Sequence, residues 1–146
     1  MKMTRTISMA ALLAVVLGLC VTQSAPQAAQ ANAAKKPRFF ELRVYTTNEG
    51  KLKALNNRFR NHTNKIFKKH GMELVGYWTP TGKTRKDNTL VYILAYPSRK
   101  AREKAWKGFR SDPEWKKAYK ESIADGRIVK KVVSQFLTPT DYSPIK

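Results

Sequence analysis

The sequence predicts an α+β domain of βαββαβ order, with a four-stranded antiparallel sheet and helices on one face, and three observations carry that expectation. Four β-rich runs, Phe39–Thr46, Met72–Thr79, Thr89–Tyr96 and Ile128–Leu137, are spread along the chain. Apolar residues recur at helical spacing between the first and second runs and again between the third and fourth. The two middle runs are joined by a short loop, Pro80–Asn88, containing Gly82, Asp87 and Asn88, which suits an antiparallel hairpin. Two βαβ halves joined by a hairpin make a split βαβ fold.

Taken in order, the first run (FFELRVYT) alternates Phe40, Leu42 and Val44 with Glu41, Arg43 and Tyr45, the pattern of a strand buried on at least one face. From Lys51 to His70 the bulky positions Leu52, Leu55, Phe59, Ile66 and Phe67 form an amphipathic helical stripe, and Gly71 supplies its C-terminal stop. The hairpin strands follow. Pro97-Ser98 opens a second helical region in which Ala101, Ala105 and Phe109 align, with Trp106 beside them. Asp112-Pro113 breaks and restarts that helix, because Asp caps free N–H groups and Pro at the first helical position has no N–H to leave unpaired. Trp115, Ala118, Tyr119, Ser122 and Ile123 form the inner face of the second piece, which Asp125-Gly126 ends. The last strand is followed by an extended tail, Thr138–Lys146. Val91 and Ile93 on one side of the third strand oppose Leu90, Tyr92 and Leu94 on the other, so both sheet faces are apolar. A sheet with helices on one face only would leave the second face wet, and a homodimer through that face is the expected remedy. Glu41 and Arg43, two apart on one strand face, are expected to point toward that partner as an interface ion pair.

The chain begins with a different kind of segment. Lys2 and Arg5 precede an uncharged apolar stretch from Ile7 to Val21 and an Ala- and Gln-rich stretch from Ser24 to Ala34, the layout of a secretory signal peptide. Small residues allow cleavage after Ala31 or Ala33. About 15 apolar residues fall short of the roughly 20 that span a bilayer, and Leu19 before Cys20 disfavours a lipid anchor. The expected organisation is a signal peptide over 1–33, a linker over 34–38 and one domain over 39–146, with export to the periplasm or the cell exterior. Cys20, the one cysteine, would leave with the leader, which excludes disulfides, Cys nucleophiles and thiolate metal sites from the mature domain.

Chemistry is sparsely marked. No Gly-rich phosphate loop, Ser-centred elbow or metal-binding carboxylate run is present, and neither a cofactor nor a metal is expected. Asp112, Asp125 and Asp141 each fit local cap or turn roles. His62, three residues after Phe59 and four before Ile66, falls on the apolar stripe and is expected to face the sheet as an acid or base, or simply as a hydrogen-bonded core imidazole. His70 lies about 12 Å further along the helix axis, too far to share a metal, and suits the helix C-terminus. Tyr77, Trp78, Tyr92, Trp106, Phe109 and Trp115 are core aromatics or walls of an apolar pocket. The candidate ligand pocket is His62, Tyr77, Trp106 and Trp115.

The 29 Lys and Arg against 10 Asp and Glu give a formal charge of +19. Lys51, Lys53, Arg58, Arg60, Lys65, Lys68 and Lys69 on the first helix, with Arg99, Lys100, Arg102, Lys104, Lys107 and Arg110 on the second, are expected on solvated outer faces. Such a field attracts anionic envelope polymers, acidic proteins or lipid surfaces. Export and the absence of a nucleic-acid motif disfavour nucleic acid.

A set of pieces runs in order from ELRVYT (Glu41–Thr46) through KHGMELVGYW (Lys69–Trp78), AYPSRKAREKAW (Ala95–Trp106) and FRSDPEWKK (Phe109–Lys117) to SQFLTPTDYSP (Ser134–Pro144). In this set the chain resembles the NIPSNAP family. The resemblance implies a ferredoxin-like protomer of the dimeric α/β barrel group and brings no catalytic residue. The mitochondrial association of eukaryotic relatives does not transfer to a chain with this leader. The expected function is an exported, homodimeric small-ligand or partner-binding module. The alternatives are a cofactor-independent monooxygenase or isomerase using His62, and a polyanion-binding envelope protein.

Overall fold

The computed structural model describes residues 38–146, so the leader and its cleavage sites lie outside the described residues. The order is β1 (Phe39–Thr47), α1 (Leu52–Arg58), a π-helical turn (Phe59–Thr63), α2 (Asn64–Lys69), β2 (Glu73–Trp78), β3 (Thr89–Tyr96), α3 (Arg99–Ser111), α4 (Pro113–Ser122) and β4 (Val129–Leu137). The sheet runs β2-β3-β1-β4 with every neighbouring pair antiparallel. This is the ferredoxin-like α+β arrangement that the alternating pattern predicts.

The core lies between the sheet and the helices. Leu90, Tyr92, Leu94 and Tyr96 of β3 meet Leu55, Phe59, Ile66 and Phe67 from the first helical region and Ala105, Trp106 and Phe109 from α3. Aromatic edges and faces interlock there, with Phe67 4.8 Å from Phe109 and Tyr77 stacked 5.4 Å from Tyr92. Gly71, at φ +75°, stops α2 in a conformation that other residues rarely adopt.

Asp112 ends α3 and starts α4. Its carboxylate accepts the Glu114 N–H at 2.8 Å, and Pro113 follows at the first helical position. The same carboxylate holds His70 at 2.7 Å and Lys69 at 3.0 Å, so the side chain of His70, the C-cap residue of α2, ties that helix to the α3–α4 junction. The His70 hydrogen bond does most to hold the Asp112 carboxyl well below the usual carboxylate range. Gly108 makes this approach possible, since a Cβ there would sit 2.6 Å from His70 Nδ1.

Strand pairing sets the second face. Phe40, Leu42 and Val44 of β1 lie opposite Ala95, Ile93 and Val91 of β3 and Leu137, Gln135 and Val133 of β4, all turned away from the helices. Among the described residues no helix covers this face. The C-terminal tail folds back over one end of it, where Thr138, Pro139, Thr140 and Ile145 lie over Phe40, Val75, Ile93 and Leu137. Arg38 fastens the tail by donating to the Lys146 carbonyl and pairing with Glu73. At the other end Leu42, Val44 and Val91 remain half-buried, and Val133 and Trp78 are exposed.

Glu41 and Arg43 are on the opposite side from the one expected. They face the helices, because Phe39 and Tyr45 of the same parity pack into the core while the aliphatic residues between them take the uncovered face.

Candidate functional site

Two polar clusters lie between sheet and helices. In the first, Glu41 is fully buried and saturated with donors. Arg102 of α3 forks onto it, Nε to Oε2 at 2.9 Å and Nη2 to Oε1 at 2.8 Å. Trp106 Nε1 donates to Oε2 at 2.9 Å, Tyr96 Oη to Oε2 at 3.2 Å, and Arg43 Nη1 and Ser134 Oγ each to Oε1 at 2.5 Å. Burial alone would raise the carboxyl pKa. The hydrogen bonds from Arg102 and Ser134, the Arg43 charge and the Trp106 N–H overcome it and pull the group down to about 2. Arg43 also donates Nε to Tyr92 Oη at 2.9 Å. A carboxylate so fully engaged has no lone pair left for a substrate; the cluster is a clamp joining β1, β3, β4 and α3.

The second cluster surrounds Arg58, the last residue of α1, which is only 5% exposed. Its Nη1 donates to Ser122 Oγ at 3.1 Å, and its guanidinium lies 5.4 Å from the Trp115 ring and 5.5 Å from that of Tyr119. Nε is buried with no hydrogen-bond partner, and among the described residues no Asp or Glu forms a salt bridge with it. Burial accordingly pulls the Arg58 pKa below the usual arginine value. Beside it is a cavity of about 210 Å³, lined by Tyr45, Trp115, Tyr119, Ile123 and Val129 together with the exposed Val132 and Arg127. Arg58 thus corrects the expectation that every base of the first helical region is solvated. It stands three residues after Leu55 and beside Phe59, within the apolar stripe. Arg102 also turns inward.

His62 is exposed, contrary to the expectation that it faces the sheet. The π-helical turn Phe59–Thr63 explains this: i→i+5 bonding fits roughly one more residue into the turn than an α-helix does, so Thr63 replaces His62 on the buried side. His62 instead lines a surface groove with Asn61, Ala118 and Glu121. Tyr77 is in the core with its hydroxyl buried and unpartnered, and burial pushes that phenol up. Trp106 belongs to the Glu41 clamp, and Trp115 to the Arg58 cavity. The four expected pocket residues therefore do not share one cavity. Tyr45, Arg58, Tyr119 and Ser122 were missed, although Ser122 and Tyr119 on the inner face of α4 signal where an inward-turned base would find contacts. Among the described residues no group of His, Cys, Asp and Glu could hold a metal ion.

Comparison with known proteins places this geometry in context. A family model, NIPSNAP, matches residues 40–144. A NIPSNAP family protein of unknown function from Agrobacterium tumefaciens is similar at 25% identity, over 76% of this chain and 96% of that one, with a TM-score of 0.65. A NIPSNAP-like domain protein from Burkholderia xenovorans is similar at 18% identity, over 75% and 91% of the two chains, also with a TM-score of 0.65. SnoaB, a cofactor-independent oxygenase from Streptomyces nogalater, is similar at 14% identity, over 74% and 98%, with a TM-score of 0.51, and at that distance the likeness is one of fold alone. No curated protein matches the chain.

Proposed function

The chain belongs to the NIPSNAP family, and from that starting point we propose that it is an exported homodimeric module that binds a small ligand in the cavity beside Arg58. The observation that carries the reading is the cavity itself. The adjoining core, from Phe59 and Phe67 to Trp106, is interlocked, yet about 210 Å³ walled by aromatic rings stays open between α1, α4 and β4. Apolar walls with a few convergent polar groups are how small ligands are usually held. An apolar cavity of about 150 Å³ accommodates benzene, so this one suits a single-ring ligand. The homodimer rests on the apolar sheet face around Leu42, Val44, Val91 and Val133, export on the charge and hydropathy layout of residues 1–33.

Catalysis by His62 is not part of this reading, since the imidazole lies outside the cavity. Attraction to anionic envelope polymers is a second, compatible property. Lys53, Arg60, Lys65, Lys68, Lys100, Lys104, Lys107 and Arg110 are all exposed on the helices, on the side of the sheet away from the proposed dimer face.

Crystals soaked in a mixture of neutral, cationic and anionic single-ring fragments should show density between Trp115, Tyr119 and Arg58. An empty cavity with fragments bound only elsewhere would reject the ligand-binding reading.

A further inference from the structure

Building on the ligand-binding reading, we propose that the occupant of the Arg58 cavity is a small organic acid, a flat single-ring carboxylate whose charge is taken by Arg58 and whose body lies against Tyr45, Trp115 and Tyr119. The chain itself supplies the internal comparison. Where it buries arginine for structure it provides the counter-charge, as Arg43 and Arg102 converging on Glu41 demonstrate. Arg58 is more deeply buried than either and has a single serine hydroxyl. Isolated buried charge is costly, and natural proteins pair it. Glu121, which lines a surface groove together with Arg58, reaches Lys117 at 4.0 Å instead.

A guanidinium carries five N–H donors in a planar fork that matches a carboxylate. Nη1 is on Ser122 and Nε is buried without a partner, so the fork is only partly used where Arg58 lines the cavity. One buried positive charge among apolar walls fits one negative charge; a phosphate dianion would call for further buried donors than this cavity offers. Arg127, an exposed residue of the lining, adds attraction for an incoming anion. The π-helical turn that begins at Phe59 fixes the position of Arg58, whose carbonyl accepts a hydrogen bond from Thr63 Oγ1 at 3.2 Å.

The test is titration calorimetry of the purified protein with phenylacetate and with its neutral counterpart phenylacetamide. The proposal expects phenylacetate to bind at least tenfold more tightly. Arg58→Met should abolish that preference and leave the unliganded protein equally or more heat-stable, because it removes a buried charge that no carboxylate among the described residues balances. Val132→Trp, which enlarges a side chain of the cavity lining and leaves Arg58 in place, should weaken both probes at least tenfold. Equal affinity for acid and amide would overturn the carboxylate assignment and leave the ligand-binding reading standing. No binding of either probe at about 1 mM would remove both. A lower melting temperature in Arg58→Met with the preference retained would make Arg58 a structural residue and overturn the proposal.

Discussion

Glu41→Ala should lower the unfolding free energy by about 3–5 kcal/mol, the usual consequence of removing one member of a buried ion pair and leaving the others charged. Arg43 and Arg102 would lose their common acceptor, and Trp106 Nε1 would keep only the Tyr96 oxygen at 2.9 Å. For a domain of this size each kcal/mol moves the melting temperature by roughly 4 °C or more, so calorimetry should record a fall well above 10 °C. The pH dependence gives a finer signature. The carboxyl is drawn from 4.5 to about 2 by folding, so the unfolded chain binds the proton more readily. The associated stability is complete above the unfolded value near 4.5 and is lost as the pH falls toward 2. The melting-temperature gap between wild type and Glu41→Gln should therefore narrow on acidification through that window. A gap independent of pH would mean that the Glu41 charge is not what holds the clamp.

Val44→Glu should convert the proposed dimer to a monomer. Val44 lies on the central strand β1, opposite Val91 and Val133, at the open end of the helix-free face. In a two-fold dimer the substitution enters the interface twice, and each unpaired carboxylate resists burial. A weakening of at least about a thousandfold, equivalent to about 4 kcal/mol, is expected. Sedimentation equilibrium measures it. Lys53→Glu, on the exposed outer side of α1, is the control and should leave the mass unchanged. Two-chain association undiminished in Val44→Glu would exclude this face as the interface.

How far the molecule was legible in its sequence depended on the kind of pattern involved. The β-rich run Thr89–Tyr96, the Gly71 stop and the Asp112-Pro113 restart are local signals, and they place β3, α2 and α4 closely. Face assignment on β1 was not legible. Phe40, Leu42 and Val44 look like the inward set, but the inward set is Phe39, Glu41, Arg43 and Tyr45, because each charge meets donors or acceptors that lie 30 to 100 residues away in the chain. The register of the first helical region was also hidden. A π-helical turn leaves no mark in a pattern read at 3.6 residues per turn, so His62 was set on the wrong side of the helix. Arg58 was hidden for a different reason: a base among other bases reads as surface until the walls around it are known.

Native mass spectrometry of protein purified from its own host weighs subunits and bound ligand together, and so bears at once on a two-chain module that holds a small acid. A species of two chains carrying a small organic acid is expected, with the acid absent from Arg58→Met. A single-chain mass with no adduct would contradict it.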